Sequence, residues 1–279
     1  MQLAKTTLGN LLEWFDFALF LYLAPLLGTL FFPTHELASA TLTAFAAFTI
    51  GYLCRPLGGI LFGFLGDTKG RSLALKLSIL LISLATFGIG ILPTFATIGI
   101  AAPILFILLR MLQGISAGGE YCGIMIYLAE TAPPKQRGFF TSLAGSGSNL
   151  GFLLATISIL LLQHFFNPPA ILAFAWRIPF IVLGLFGILL FYFRLNLAET
   201  NAYQYLKSQQ RIVSKPLYEV LRHAPEALLK IMGLTCFSSI FYIIFFGFLP
   251  TYLAQYANLS LTLSLTWQCG FLFLMLFLI

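Results

Sequence analysis

Long apolar runs follow one another along this chain, parted at short intervals by turn-forming residues. Stretches such as ALKLSILLISLATFGIGIL show no alternation of apolar and polar positions, the alternation that the short strands of an outer-membrane barrel require. A helix that crosses a bilayer needs about 20 mostly apolar residues. Segments of that kind are predicted at 8–32, 40–65, 73–92, 100–128, 139–163, 176–196, 226–252 and 261–279, eight in all. The breaks fall at Pro33, Gly66 to Gly70, Pro93, Pro133-Pro134 and Asn167-Pro168-Pro169, where turn chemistry places them. The expected fold class is all-α, a polytopic membrane helix bundle.

Composition agrees. The 279 residues are 59% hydrophobic and 9% charged, with 30 Phe; a soluble domain carries about a quarter charged residues. Too few polar residues exist to coat a soluble globule, so the partner of most of this surface is the lipid bilayer. The first apolar run is long and carries acids, unlike a cleavable signal peptide.

The net charge of +6 is distributed by loop. Lys5 precedes the first segment; Lys69 and Arg71 lie between the second and third; Lys135 and Arg137 between the fourth and fifth; Arg194, Lys207, Arg211, Lys215 and Arg222 between the sixth and seventh. Connections 33–39, 93–99, 164–175 and 253–260 contain neither Lys nor Arg. Basic loops stay on the cytoplasmic side, which predicts a multi-pass protein of the cytoplasmic (inner) membrane with both termini inside. No soluble face carries a basic patch, so no nucleic acid is expected as a partner. The domain expectation is a six-helix half at 1–196, a polar cytoplasmic linker at 197–225 and a partial second half at 226–279. Cys54, Cys122, Cys236 and Cys269 lie in apolar runs without metal spacing and read as small buried residues. His35, His164 and His223 read as solvated loop residues. No metal and no cofactor is implied.

Ionisable residues within spanning segments are expensive and have a partner or a function. At about 1.5 Å of rise per residue, Asp16 lies about 12 Å from the cytoplasmic end of its helix, Arg55 about 16 Å and Glu120 about 14 Å. These three helices therefore bring charges to matching depth, and Asp16 and Arg55 are expected to share a polar cluster. Glu13 shares a face with Asp16, and Arg110 lies in the outer half of the fourth helix. Two readings stand: structural ion pairs that fix packing, or a polar cavity for a charged solute and a proton. Glu120, in the small-residue segment GISAGGEYCG, is the preferred proton carrier. Gly59/Gly63, Gly114/Gly118 and Gly147/Gly151 have the spacing that lets membrane helices approach closely. Asn149, within the last of these, has the chemistry to bond a solute or a neighbouring helix. In GFLGDTKGRS (63–72), Gly66 and Gly70 permit a tight turn, and Asp67 and Arg71 can bond helix ends or each other.

GFLGDTKGRS resembles the helix 2–3 loop of the major facilitator superfamily, RMLQG (110–114) its helix 4 arginine motif and AETAPPKQRG (129–138) its helix 4–5 loop. GNLLEWFDF (9–17), RPLGGILFG (55–63), GGEY (118–121) and WRIPF (176–180) together resemble the metabolite:proton symporter branch, whose carriers take proline and betaine, dicarboxylates, citrate or shikimate. The resemblance implies two six-helix halves that rock about a solute site between them. It implies that Asp16, Arg55, Arg110 and Glu120 belong to a solute and proton cavity and Asp67, Arg71 and Arg137 to a cytoplasmic gate; Asn149 is expected at the cavity by its hydrogen-bonding chemistry and Gly70 at the gate by its turn. Thr68 and Ser72 stand where the superfamily loop is usually basic. The family has twelve helices and this sequence about eight, so the expectation is a major-facilitator-like six-helix half plus about two helices of the second. The implied function is proton-coupled symport of a small zwitterion or carboxylate, with solute and protons as partners and a separate chain as one source of the missing helices. The alternative is a truncated or split remnant that inserts without transporting. An intramembrane enzyme is disfavoured for want of a catalytic constellation.

Overall fold

The computed structural model describes residues 2–32, 36–257 and 259–278; Pro33 and His35 lie outside the described residues. All regular structure within them is helical. The order is α1 (Gln2–Phe31), α2 (Leu37–Leu53), α3 (Arg55–Thr68), α4 (Arg71–Ile91), the single turn α5 (Phe95–Ile98), and α6 (Ala101–Thr131). Next come α7 (Arg137–Phe165), the single turn α8 (Pro168–Ala170), α9 (Arg177–Arg194), α10 (Asn201–Ser208) and α11 (Pro216–His223). The last are α12 (Pro225–Tyr242), α13 (Leu249–Tyr256) and α14 (Leu261–Leu278).

Seven of these segments are long and apolar enough to cross a bilayer: Thr6–Phe31, Ala38–Thr68, Arg71–Ile91, Ala101–Thr131, Pro134–Phe165, Arg177–Arg194 and Pro225–Tyr256. The eighth expected segment is the 18-residue α14. Two spans are composite. The second is interrupted at Cys54, between α2 and α3. The seventh passes from α12 through a wide π turn at Ile243–Phe248 into α13.

α1 is apolar on nearly every side and is the most buried span, as a helix surrounded by helices must be. It packs against α2, α6, α7 and α9, while α4 lies between α6 and α9. At its C-terminal end Phe31 stacks on Phe106 at 4.5 Å between ring centroids, and Trp176 meets Phe31 edge-on at 5.7 Å. Where α2 and α3 meet α6, the backbones nearly touch. A Cβ on Gly114 would lie 1.8 Å from the Gly51 carbonyl oxygen, and one on Gly118 2.0 Å from that of Arg55. Gly151 is equally confined against α1. Gly63 has open space around it, while Gly59 meets α6, its nitrogen 2.8 Å from where a Cβ on Gly118 would stand, so of the Gly59/Gly63 pair only Gly59 lies in the close approach.

Several expectations need correction. Lys5 lies within α1 rather than before it. His164 is in the last turn of α7, and the connection after it holds α8 and a π turn at Ile171–Ala175. Of the four free cysteines only Cys54 is buried; Cys122 and Cys236 are exposed on outward helix faces. The 197–225 segment contains α10 and α11 and docks by its first residues onto α4 and α6. The α12 surface is almost wholly exposed, while α14 packs on α7 and the π turn packs on α1.

Candidate functional site

The stretch GNLLEWFDF forms one turn after another of α1, and its positions 9, 13 and 16 fall on one face. Each meets a charged pair. Glu13 pairs with Arg55 of α3. Asp16 pairs with Arg110 of α6, Oδ2 to Nη1 at 3.2 Å. Beside Gly9, Glu120 of α6 pairs with Arg194 of α9 at 2.7 Å. A Cβ on Gly9 would lie 2.0 Å from Glu120 Oε1 and 2.1 Å from Arg194 Nη2, so the absent side chain makes room for that pair. Three helices, α3, α6 and α9, thus converge on one stripe of α1.

Each rung has its own supporting bonds. Asp16 Oδ1 accepts from Thr86 Oγ1 at 3.0 Å and from Gln113 Nε2 at 2.9 Å, and Gln113 also donates to Thr86. Arg110 lies over the Phe20 ring at 3.9 Å. Arg194 donates to the carbonyls of Leu75 and Thr6, each at 2.8 Å. The Ser78 hydroxyl donates to Glu120 Oε2, and Ser116 donates to the Ser78 carbonyl at 2.5 Å. Glu13, Asp16, Glu120 and Arg194 are fully buried, while the Arg55 side chain retains 16% exposure. Buried carboxylates in hydrocarbon hold their charge only beside such partners.

The arrangement departs from the pairing expected by depth. Asp16 pairs with Arg110, and Arg55 takes Glu13, because helix face rather than depth selects the partner. Arg194 was placed among the loop charges; it is instead completely buried at the end of α9. Its sequence position beside polar residues concealed this. Thr86 and Gln113 were not singled out, although Gln113 lies in the RMLQG stretch. Asn149 Oδ1 accepts from the Tyr242 hydroxyl at 2.5 Å, joining α7 to α12. A second junction has the Tyr22 hydroxyl donating to the Phe246 carbonyl at 3.1 Å and accepting from Gln268 of α14 at 2.6 Å.

The 63–72 loop forms a separate polar centre. Arg71 pairs with Asp67 and, at 3.2 Å, with Glu130. Glu199, from the segment after α9, accepts from the backbone N–H groups of Arg71 (3.0 Å), Ser72 (3.2 Å) and Thr200 (2.9 Å). It sits at the N-terminus of α4, where orphan amides and the helix dipole favour a carboxylate. Gly70, at φ +119°, precedes that helix, and a Cβ there would lie 2.2 Å from Glu199 Oε2. Thr200 donates to Glu130 at 2.6 Å, and Tyr203 donates to the Thr68 carbonyl at 2.9 Å. Arg137 is exposed at the first turn of α7 and takes no part among the described contacts. At the opposite end of the bundle Arg177 donates to the Gly90 and Leu92 carbonyls at 2.9 and 2.7 Å, closing the end of α4.

The all-helical fold, with seven segments long and apolar enough to cross a bilayer and charge pairs buried among them, defines a polytopic membrane helix bundle. The chain belongs to the sugar (and other) transporter family, whose model matches residues 3–234. It is 36% identical over 270 residues to the proline/betaine transporter of Salmonella typhimurium, covering 92% of this chain and 53% of that protein. It is 36% identical over 267 residues to a glycine betaine/proline/ectoine/pipecolic acid transporter of Dickeya dadantii, with the same coverages. The chain therefore spans about half the length of these curated relatives. Among solved structures it resembles a D-xylose-proton symporter, with a TM-score of 0.74 at 18% identity over 98% of this chain and 66% of that one. A partially occluded, inward-open xylose transporter from E. coli gives 0.71 at 20% identity, over 96% and 66%. At such identities the likeness is one of fold. The family and these relatives are transporters, not enzymes.

Proposed function

We propose that this chain carries the solute and proton site of a symporter that moves a small zwitterion or carboxylate across the cytoplasmic membrane, with both ends of the chain on the cytoplasmic side. The observation that carries the reading is the convergence of three Arg–carboxylate pairs on one stripe of α1 at membrane depth. Charges there need a partner or a function, and paired charges can serve both ends. Protonating one carboxylate releases its arginine toward a solute carboxylate; losing the proton restores the pair. Proton and solute then bias the same global states, the rocking positions of two helical halves about a midplane site. Asp16, Arg55, Arg110, Glu120 and Asn149 are assigned to that cavity, with Asp67, Gly70, Arg71 and Arg137 at the cytoplasmic gate. The same reading treats 1–196 as the first half, 197–225 as the linker and 226–279 as part of the second half. The remaining length of the relatives, in the same polypeptide or a separate chain, would pack against the exposed face of α12.

Proteoliposome uptake tests it. The chain is joined to the C-terminal portion of the Salmonella relative and assayed with labelled glycine betaine, proline and succinate, with and without an inward proton gradient. Gradient-driven accumulation of one solute is expected, and Glu120→Gln should abolish accumulation while sparing exchange. Accumulation indifferent to both the gradient and Glu120→Gln would overturn the proton-coupled reading.

A further inference from the structure

The Arg55 guanidinium is ringed by aromatic faces. Its Cζ lies 4.7 Å from the ring centroid of Phe17, 5.0 Å from that of Tyr52 and 5.7 Å from that of Trp14. All three distances fall within the roughly 6 Å over which a cation is held by a ring face. Trp14 and Phe17 stand one turn apart on α1, and Tyr52 closes the third side from α2, just before the break at Cys54. Glu13 supplies the negative charge. Aromatic faces arranged around a carboxylate are what a weakly hydrated cation requires, and here an arginine fills the place.

Arg55 differs from the other two membrane-depth arginines. Arg110 is 4% exposed and Arg194 fully buried, while Arg55 retains 16%. Its one hydrogen-bond partner among the described contacts is Glu13. Two buried polar atoms on the residues that hold it are unpartnered, Glu13 Oε2 and Trp14 Nε1. An acceptor and a donor thus stand unused beside a reachable cation, an arrangement that packing alone would not favour.

We propose that Trp14, Phe17, Tyr52 and Glu13 form a cation subsite whose resident occupant is Arg55, and that a solute bearing a quaternary or N-alkylated ammonium takes the guanidinium's place. The proposal rests on the transport reading above and deepens it by assigning the residues that hold the solute's cation and the group that the cation displaces. Displaced, Arg55 keeps its charge and meets the solute's carboxylate, to which Trp14 Nε1 also donates. The solute's methylated nitrogen spreads its charge over carbon and gives up little hydration on entering the rings. A dicarboxylate has no group to exchange for the guanidinium.

The test reads binding by the 279-residue chain in detergent, so it stands apart from uptake. Arg55→Ala empties the cage. Tetramethylammonium chloride and glycine betaine should then raise the unfolding temperature of Arg55→Ala beyond the effect of equal sodium chloride, with saturation. Adding Phe17→Leu should weaken that apparent affinity about tenfold, the scale expected for losing one ring face from a desolvated cation. A rise no larger than that from sodium chloride, or one unchanged by Phe17→Leu, overturns the proposal. Should Arg55→Ala not fold, Trp14 is kept as the lone tryptophan by Trp176→Phe and Trp267→Phe. A saturable change of its fluorescence with tetramethylammonium, lost on Phe17→Leu, supports the subsite; no saturable change overturns it. Failure here leaves gradient-driven uptake of a carboxylate intact, whereas binding without uptake refutes the transport reading instead.

Discussion

Replacing Arg194 with methionine should damage the fold far more than replacing both Arg194 and Glu120. The guanidinium lies 2.7 Å from Glu120 Oε1 with both side chains at 0% exposure. At an effective dielectric near 20, that separation corresponds to about 6 kcal/mol of gross attraction. Desolvation of the two ions offsets part of it. Arg194→Met leaves the carboxylate uncompensated and also strips donors from the Leu75 and Thr6 carbonyls. A net loss of about 3–5 kcal/mol is expected, the range for breaking a buried pair from one side. In Arg194→Met/Glu120→Gln no charge remains, and the Ser78 hydroxyl keeps its acceptor. The double variant should recover at least about 2 kcal/mol relative to the sum of the singles, the coupling expected of contacting residues. Equilibrium unfolding in mixed micelles supplies the four free energies of the cycle. Additivity within about 0.5 kcal/mol would show that the two charges are not coupled and that the geometry at the end of α9 is wrong.

Two further outcomes follow from single contacts. Gly9→Ala should destabilise by about 1–3 kcal/mol, the usual range for overpacking, because its methyl would lie 2.0 Å from Glu120 Oε1; suppression of that loss by Glu120→Ala, read in the same micelles, is the check. Glu199→Gln should loosen the segment after α9 by about 1 kcal/mol, as removal of a carboxylate from a helix N-terminus does, and so raise tryptic cleavage at Lys207 and Arg211 about fivefold. Unchanged cleavage would show that Glu199 does not hold that segment.

Hydrophobic periodicity made the helices legible, because twenty apolar residues in a row have few other uses. Glu13, Asp16, Arg55, Arg110 and Glu120 were legible for a related reason: a charge inside an apolar run stands out. Arg194 did not stand out. It ends its run, and a basic residue at a helix end reads as a loop charge until α4 and α1 are seen to cover it. Glu199 was hidden in the same way, since nothing in its sequence context places it at the N-terminus of α4, more than a hundred positions away. Pairing was also illegible. Rise per residue gives depth, but the rotation of α3 and α6 about their axes decides which acid each arginine meets. Close approach of Gly118 to the Arg55 carbonyl and of Gly58 to the Ile115 carbonyl fixes how α3 faces α6. The spacing that found Gly114 found Gly63 as well, and only the fold separates them.

The charge balance along α1 bears on which solutes the proposed site can admit. Glu13, Asp16 and Glu120 are matched by Arg55, Arg110 and Arg194, so the stripe is neutral as it stands. An unbalanced charge at that depth costs several kcal/mol. A zwitterion leaves the sum unchanged: its cation replaces Arg55 against Glu13, and its carboxylate receives the displaced guanidinium. One proton then adds a single positive charge, which protonation of a carboxylate places within the stripe itself. A dicarboxylate would add two negative charges and would need two protons to leave the stripe neutral, or three to reach the same net charge. The proposed cage and the proposed proton step are therefore linked by one constraint, and the ratio of protons to solute measures it. A ratio of one for glycine betaine agrees with a neutral stripe plus one proton. A ratio that is the same for succinate would mean that the compensating charge comes from outside these three pairs.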